Sequence, residues 1–273
     1  MDMLLLLKAL VMGIVEGVTE FLPISSTGHL IVAGRILHLP ANMRFTFEIF
    51  IQLGAILAVI VYFARDLIGL GRDALADNPN TPAARRLLLG VAVAFAPAGL
   101  IGFLFNDLID AYLFHPFTVG VALIVGAIVI LAIERRPCSP ITHAVAEVRV
   151  SQALLIGASQ VASLFPGFSR SAATIVGGLL AGLDRPTALR FSFYLSIPTM
   201  VIATVYALAK NVSRIQADQL PAFGVGLIAS FGVALIVVHW FLKFVSTHTL
   251  KPFAWYRLAA GAVIIVLSLA GAL

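Results

Sequence analysis

Long apolar segments recur from one end of the chain to the other, and this feature restricts the possible folds most. A helix of about 20 apolar residues crosses a hydrocarbon core of about 30 Å, and in lipid such a segment must satisfy its own backbone hydrogen bonds. Each candidate is bounded by charge or proline, and the six lie at residues 46–64, 87–105, 117–133, 190–209, 221–242 and 254–273. The sequence therefore predicts an all-α integral membrane protein with six transmembrane helices.

The composition supports a membrane protein and argues against nucleic acid as a partner. Of the 273 residues, 60% are hydrophobic and 11% are charged, whereas about a quarter of the residues of a soluble domain are charged. The formal net charge is +5 at pH 7, but the basic residues form short clusters between apolar segments rather than one basic face. Such clusters set the orientation of a membrane protein. We therefore expect membrane lipids, and no nucleic acid, among its partners.

Two further apolar regions are interrupted near their middle. Residues 1–45 are broken at Pro23–Gly28, and residues 150–189 are broken at Pro166–Ser171. Proline and glycine end helices or turn the chain. We interpret each region as a re-entrant helical hairpin that enters and leaves the membrane on one side.

The distribution of arginine between the segments predicts the orientation of the chain. The connections 65–86 and 134–149 contain four and three arginines, whereas 106–116 contains no lysine or arginine. Basic connections stay in the cytoplasm. Both termini and the first hairpin are then on the outer face, and the second hairpin opens from the cytoplasmic side.

Hairpins that enter from opposite faces predict an inverted repeat, with its halves at residues 1–140 and 141–273. Two short matches support it, and they pair Pro23–Thr27 with Pro166–Arg170 (166 − 23 = 143) and Phe47–Gly54 with Phe191–Pro198 (191 − 47 = 144). Chance similarity between apolar segments is the alternative. Inverted repeats with paired broken helices place a ligand near the bilayer midplane, between the two breaks.

Glu16 and Glu20 are the first candidates for chemistry within the membrane. They are four residues apart in a stretch of small and apolar residues, so they share one face of a helix. Two adjacent carboxylates in apolar surroundings are costly unless a cation or protons neutralise them, and they therefore predict a cation site or proton transfer. A shallow helix that exposes both to interfacial water is the alternative.

The turn Ser25-Ser26-Thr27-Gly28-His29 begins a new apolar helix after a proline. Serine, threonine and glycine are ordinary cap and turn residues, so the pattern alone has a structural explanation. Free N–H groups at a helix N-terminus favour an anion, however, and an imidazole follows within one turn. Ser26 is the stronger nucleophile candidate, because its i, i+3 spacing places it beside His29.

The second break has the same helix-start chemistry with an arginine in place of the histidine. Arg170 in an apolar setting binds an anion or pairs with one of the two carboxylates, and the spacing leaves both roles open. A phosphate group would use both helix N-termini, the arginine, the hydroxyl groups of Ser169 and Ser171, and a carboxylate-bound Mg²⁺ or Ca²⁺. Phosphate thus accounts for more of these residues than an ion pair does.

Three more polar residues are predicted to line the same cavity. Glu48 and Gln52 form an i, i+4 pair on a spanning helix, and Gln160 precedes the second break much as Glu16 precedes the first. For Gln52 and Gln160 a hydrogen bond between helices is the favoured role.

Two long motifs resemble those of a known family. E-G-V-T-E-F-L-P-I-S-S-T-G-H at residues 16–29 and P-G-F-S-R-S at residues 166–171 look like the signature motifs of the undecaprenyl-diphosphate phosphatases, also called bacitracin resistance proteins. The resemblance covers the whole chain. Ala172 stands where the second motif leads us to expect glycine, a change that leaves the polar atoms untouched.

The resemblance implies a substrate, a reaction and a location. The substrate would be undecaprenyl diphosphate, and hydrolysis would release inorganic phosphate and the lipid monophosphate that carries cell-wall precursors, which confers bacitracin resistance. The protein would be a multi-pass protein of the bacterial inner (plasma) membrane, with its site inside the bilayer and open to the periplasm. The oligomeric state stays open, and a homodimer is among the allowed states.

The resemblance also implies roles for individual residues. Ser26 would be the nucleophile or the phosphate-positioning hydroxyl, and His29 its acid/base partner. Glu16 and Glu20 would bind a divalent cation (Mg²⁺ or Ca²⁺) or transfer protons. The substrate-binding residues that we predict are Ser25, Thr27, Ser169, Arg170, Ser171, Glu48, Gln52 and Gln160.

A secondary transporter or a polyprenyl-phosphate flippase is the alternative function. Inverted repeats and broken helices are typical of transporters. A transporter needs no serine nucleophile, so Ser26 with His29 beside paired carboxylates is the feature that favours the enzyme.

Overall fold

The computed structural model describes residues 2–136, 139–211 and 215–273, and these residues form α-helices, short 3₁₀ turns and no β-strand. The helices of the first half are α1 (Met3–Thr19), α2 (Ser26–Ile36), α3 (Ala41–Tyr62), α4 (Ala64–Leu75), α5 (Thr81–Leu113) and α6 (Pro116–Glu134). Those of the second half are α7 (Val150–Gln160), α8 (Arg170–Leu180), α9 (Arg185–Asn211), α10 (Leu220–Val245) and α11 (Lys251–Leu269).

Six segments of the described residues are long and apolar enough to cross a membrane, as predicted. They are Met43–Tyr62, Thr81–Phe105, Pro116–Glu134, Arg185–Asn211, Ala217–Val245 and Lys251–Leu269. The prediction of an all-α membrane protein with six transmembrane helices is confirmed. Many large apolar side chains on these helices are exposed at the surface of the chain, which suits a protein whose outer solvent is lipid.

The two interrupted regions form pairs of shorter helices. α1 and α2 flank the first break, and α7 and α8 flank the second. α2, α7 and α8 each contain 11 residues, and a helix of that length extends only about 16 Å. None of these three can cross a bilayer alone, which is compatible with re-entrant hairpins, and their return to one membrane face stays a prediction.

The helix contacts occur in matching pairs. α1 packs on α10 as α7 packs on α5, and α3 packs on α10 as α9 packs on α5. α6 packs on α11, and α3 packs on α9, so each of these two contacts joins equivalent helices. Two related halves would give this pattern, and the opposite orientation of the halves in the membrane stays a prediction.

The backbone of the two breaks corrects the alignment drawn from the sequence. Ser25 precedes α2 and Ser169 precedes α8, and both have a positive φ, 71° and 74°. They are 144 residues apart (169 − 25), the same offset as between the starts of α3 and α9, at Ala41 and Arg185. Ser169 therefore corresponds to Ser25, one residue away from the pairing that the proline positions suggest.

Small residues bring α1 against α10. A Cβ atom on Gly17 would lie 2.7 Å from the carbonyl oxygen of Ser230, and one on Gly13 would collide with the carbonyl of Gly226. Only glycine allows the two backbones to approach this closely, as at many interfaces between membrane helices. This packing fixes the face of α1 that carries Glu16, whose side chain is fully buried.

Candidate active site

The two breaks present the starts of α2 and α8 to a common cavity of about 590 Å³. The N–H groups in the first turn of a helix have no partner within the helix, and they attract anions. Ser25 and Ser169 adopt positive φ where these helices begin, a conformation that costs about 1–3 kcal/mol for a residue with a Cβ atom and is frequent at functional sites. Two helix N-termini thus converge on one space.

The cavity has a polar end and an apolar wall. The polar side chains around it come from both breaks and from the neighbouring helices, and they are Glu20, Ser25, Ser26, Thr27, Gln52, Gln160, Ser163, Ser169, Arg170, Thr199 and Thr204. The apolar wall comes mainly from α5 and α9, with Phe95, Phe103, Ile109, Met200, Ile202 and Tyr206 among its residues. A molecule with a charged group and a hydrocarbon chain suits this division.

Glu20 joins the two halves of the site. The hydroxyl of Ser26 donates to its Oε2 at 2.7 Å, and Nη2 of Arg170 donates to its Oε1 at 3.2 Å. Arg170 comes from the second break, so one carboxylate connects the hydroxyl of one half to the guanidinium of the other. The pairing of Arg170 with a predicted carboxylate, one of the two roles left open by the sequence, is present in the structure.

Arg170 is held on several sides and still has a donor to spare. Nη1 lies 3.4 Å from the carbonyl oxygen of Ser192, Nη2 lies 3.3 Å from the sulfur of Met200, and the guanidinium lies 5.6 Å from the ring centre of Phe21. Its Nε is buried without a hydrogen-bond partner among the described residues. Arg170 also lines the cavity, so an anion there can contact its guanidinium while the ion pair with Glu20 is kept.

His29 makes no hydrogen bond to Ser26 in the described structure, although the two residues are one turn apart. Its Nδ1 lies 2.7 Å from the carbonyl oxygen of Ser25, and its Nε2 lies 2.6 Å from the hydroxyl of Tyr256. The two rings are stacked, with centroids 5.5 Å apart. Both ring nitrogens thus have other partners. A helical side chain leans back toward the preceding turn, where the carbonyl of Ser25 lies.

Glu16 and Gln160 occupy equivalent places before the two breaks, 144 residues apart (160 − 16). Both side chains are fully buried, and none of their terminal oxygen or nitrogen atoms has a hydrogen-bond partner among the described residues. Glu20 and Glu48 are close enough to interact electrostatically with Glu16. Buried polar groups require partners, so Glu16 and Gln160 are both candidates to contact polar atoms of a bound molecule.

Of the remaining predicted residues, Glu48 lies outside the cavity lining and Ser171 lies between the breaks. An oxygen of Glu48 is 3.9 Å from Nε of Arg44. The hydroxyl of Ser171 donates to the carbonyl of Leu22 at 2.9 Å, and it lies 3.0 Å from the hydroxyl of Ser169. Ser171 therefore connects the second break to the chain just before the first.

The carboxylates fit a cation only in part. Glu16 has two buried oxygens without hydrogen bonds, as an ion ligand would, whereas both oxygens of Glu20 accept bonds from protein groups. Within the described ranges, His, Cys, Asp and Glu side chains form no group of three suited to a metal. A cation at Glu16 would therefore need further oxygen ligands from outside the protein.

Two residues of α11 were missed in the sequence. Tyr256 holds His29, and Arg257 is fully buried behind the breaks. An arginine inside an apolar segment is itself a functional signal, and Arg257 stands inside the sixth predicted segment. That signal was present, but it gave no indication of what the side chain contacts.

The chain is similar to known proteins over almost its full length. Residues 9–263 match the profile of the family described as Bacitracin resistance protein BacA. Undecaprenyl-diphosphatase of Dechloromonas aromatica is 48% identical over 265 residues, which cover 97% of this chain and 95% of that protein. The enzymes of the same name from Laribacter hongkongensis and Deinococcus radiodurans are each 47% identical, over 97% and 98% of this chain and 96% and 97% of theirs.

Proposed function

The chain belongs to the bacitracin resistance protein family, and from that membership we propose that it is an undecaprenyl-diphosphate phosphatase. It hydrolyses undecaprenyl diphosphate to undecaprenyl phosphate and inorganic phosphate, which recycles the lipid carrier of peptidoglycan synthesis and confers resistance to bacitracin. One observation in the structure carries the proposal. Ser26, Glu20 and Arg170 form a continuous chain of polar contacts on the cavity.

The geometry supports a role for each of these three residues. The Oγ of Ser26 attacks the terminal phosphorus, and the bond from that phosphorus to the bridging oxygen breaks, so that undecaprenyl phosphate leaves. Glu20 takes the hydroxyl proton, since its Oε2 already accepts that hydrogen bond at 2.7 Å. Water then hydrolyses the phosphoserine, which releases inorganic phosphate and restores the serine.

Charge stabilisation comes from the second half of the site. Arg170 holds the diphosphate with the donors that the Glu20 pair leaves free, and the N–H groups at the start of α2 and α8 add to it. Ser25, Thr27 and Ser169 line the same space. His29 contacts the carbonyl of Ser25 rather than the hydroxyl of Ser26, so it orients the turn, and its acid/base role stays a prediction from the sequence.

A divalent cation, Mg²⁺ or Ca²⁺, forms part of the proposal. Glu16, with two unpartnered oxygens, and Glu20 would hold it. Such an ion supplies positive charge that neutralises phosphate oxygens during their transfer.

The apolar wall of the cavity supports a lipid substrate and a site within the membrane. α5 and α9 provide that wall, so the polyprenyl chain would lie between them while the diphosphate reaches the breaks. We place the protein in the bacterial inner membrane as a multi-pass protein, with both termini and the opening of the cavity on the periplasmic side. The charge distribution of the connections supports this orientation.

Phosphate release from undecaprenyl diphosphate by detergent-purified protein tests the proposal. We expect turnover with Mg²⁺ or Ca²⁺, loss of turnover in excess EDTA, and recovery when the ion is added back. The absence of phosphate release with either ion would reject the enzyme. Turnover that is unchanged in excess EDTA would reject the cation requirement and leave the phosphatase activity in place.

Lipid transport is the second candidate, because the matching helix contacts support two related halves, and repeated halves with broken helices are common in transporters. Flip-flop of labelled undecaprenyl phosphate in proteoliposomes, compared with protein-free liposomes, tests it. Faster flip-flop would add transport to hydrolysis, and equal rates would remove it.

A further inference from the structure

Arg257 places a charge in the interior of the helix bundle, where its hydrogen bonds to the described residues reach no carboxylate. Its side chain is fully buried in α11, where a charged group is costly and must be surrounded by polar partners. Every hydrogen bond that it makes in the described chain goes to a backbone carbonyl, and the acceptors are Pro23 (3.0 Å), Phe168 (2.9 Å), Gly167 (3.2 Å), Leu123 (3.2 Å) and Ala122 (3.4 Å).

These acceptors show what the arginine connects. Pro23 belongs to the first break, two residues before Ser25, and Phe168 belongs to the second break, directly before Ser169. Where a helix is broken in apolar surroundings, carbonyl groups lose their helical partners and require other donors. Arginine offers five N–H groups in a rigid plane, so one side chain can satisfy carbonyls from both breaks together.

We propose that Arg257 is a positioning residue that fixes the two breaks relative to each other. The carbonyls point back to its guanidinium, whereas Ser26 and Arg170, the residues after the breaks, line the cavity in front. Its effect on hydrolysis is thus indirect, through the distance between the hydroxyl of one break and the guanidinium of the other. This inference rests on the proposed phosphatase activity.

The chain provides a way to move the guanidinium without removing it. Gly126 of α6 lies against it, and a Cβ atom there would collide with Nη2 and lie 2.8 Å from the guanidinium carbon. Gly120, on the same helix, also faces α11, but its Cβ would meet Ile265 at 2.6 Å and the carbonyl of Gly261 at 3.0 Å. Gly126→Ala therefore displaces the arginine, and Gly120→Ala is the matched control for crowding between α6 and α11.

The experiment measures kcat and KM of wild type, Arg257→Lys, Gly126→Ala and Gly120→Ala, each normalised to monodisperse protein. Lysine keeps the charge, but one ammonium cannot reach both breaks. We expect kcat of Arg257→Lys and Gly126→Ala to fall about 100-fold, as for a reacting group misplaced by about 1 Å. Their KM should change much less than kcat, and Gly120→Ala should stay within about threefold of wild type.

A distance measurement keeps the test independent of turnover. Spin labels at the exposed positions Ile36 and Leu180, at the ends of α2 and α8, report on the separation of these two helices. We expect the distance distribution to broaden in Arg257→Lys and Gly126→Ala, and to match wild type in Gly120→Ala.

Three results would overturn the positioning role. In the first, Arg257→Lys turns over like wild type, so charge alone is enough. In the second, Gly126→Ala and Gly120→Ala lose the same activity, so crowding explains the loss. In the third, neither Arg257→Lys nor Gly126→Ala yields monodisperse protein while Gly120→Ala does, so Arg257 serves folding. Failure of wild type to release phosphate would instead reject the phosphatase activity, and the spin-label distances would still decide whether Arg257 holds the breaks.

Discussion

The first break separates α1 from α2, and the second separates α7 from α8, with nearly the same backbone at the end of each. Ser25 and Ser169 have φ of 71° and 74°, and each is followed by a helix of 11 residues. The next residue is Ser26 in the first break and Arg170 in the second, again 144 residues apart (170 − 26). Equivalent positions thus carry a hydroxyl in one half and a cation in the other.

This difference shows how a repeated scaffold forms an asymmetric site. Glu20 belongs to the first half alone, because the position 144 residues later holds Leu164. The one carboxylate accepts from the hydroxyl of Ser26 and from the guanidinium of Arg170. In the mechanism that we propose, the first half therefore supplies the nucleophile and the base, and the second half supplies the charge that holds a diphosphate.

Removal of the hydroxyl from each break should produce the largest contrast. We expect Ser26→Ala to lower kcat at least about 10³-fold, because loss of a nucleophile leaves only binding and charge stabilisation. Ser169→Ala removes a helix cap whose oxygen accepts from the N–H of Ala172 at 3.3 Å, and should lower kcat about tenfold or less. Phosphate release under saturating substrate measures both. Equal losses in the two variants would mean that Ser26 binds phosphate and does not attack it.

A second contrast lies within the first break, between the two candidate partners of Ser26. Glu20→Gln replaces the carboxylate that lies 2.7 Å from the hydroxyl with an amide that cannot take up its proton, and we expect kcat to fall about 10²- to 10³-fold, the range for loss of a general base. His29→Gln should cost about tenfold or less, because the imidazole contacts Ser25 and Tyr256 instead. Parallel measurements of kcat decide between them. A larger loss of kcat in His29→Gln than in Glu20→Gln would indicate that His29, and not Glu20, is the acid/base partner of Ser26.

The membrane-spanning part of this fold could be predicted from the sequence, because hydropathy reports directly on contact with lipid. All six spans were found, but α4 (Ala64–Leu75) was not, since it lies in a connection and mixes charged with apolar residues. The first span was predicted at residues 46–64, whereas the apolar span of α3 begins at Met43 and the helix itself at Ala41. The first turn of α3 contains the polar residues Asn42 and Arg44, so the hydropathy pattern assigns this turn to the connection before the helix.

The members of the site were easier to predict than their contacts. The motifs indicated Glu20, Ser26 and Arg170, but helical spacing suggested His29 as the partner of the serine, whose hydroxyl bonds Glu20 instead. Glu20 lies before the break and Ser26 after it, so their contact at 2.7 Å depends on how the chain turns between them. The carbonyls around Arg257 belong to residues far away in sequence. Neither contact follows from the spacing within one helix.

The smallest effect concerns the connection between the breaks. Ser171→Ala removes the hydrogen bond to the carbonyl of Leu22 and leaves that carbonyl without this donor, which costs about 1 kcal/mol or more. Ser196→Ala is the matched control, because that hydroxyl is as buried and its one hydrogen bond within the described part of the chain goes to the carbonyl of Phe193 in its own helix. We expect apparent Tm in detergent to fall about 2–4 °C further in Ser171→Ala than in the control.

The same pair of variants separates stability from alignment of the two breaks. If the Ser171 bond also helps to hold Arg170 against Glu20, kcat of Ser171→Ala should fall about threefold while Ser196→Ala turns over like wild type. The small size follows from redundancy, since Arg257 bonds the carbonyls of both breaks and would remain in place. A loss as large as that of Ser26→Ala would show instead that the hydroxyl of Ser171 acts on the diphosphate itself. An unchanged kcat with a lowered Tm would assign this bond to stability alone.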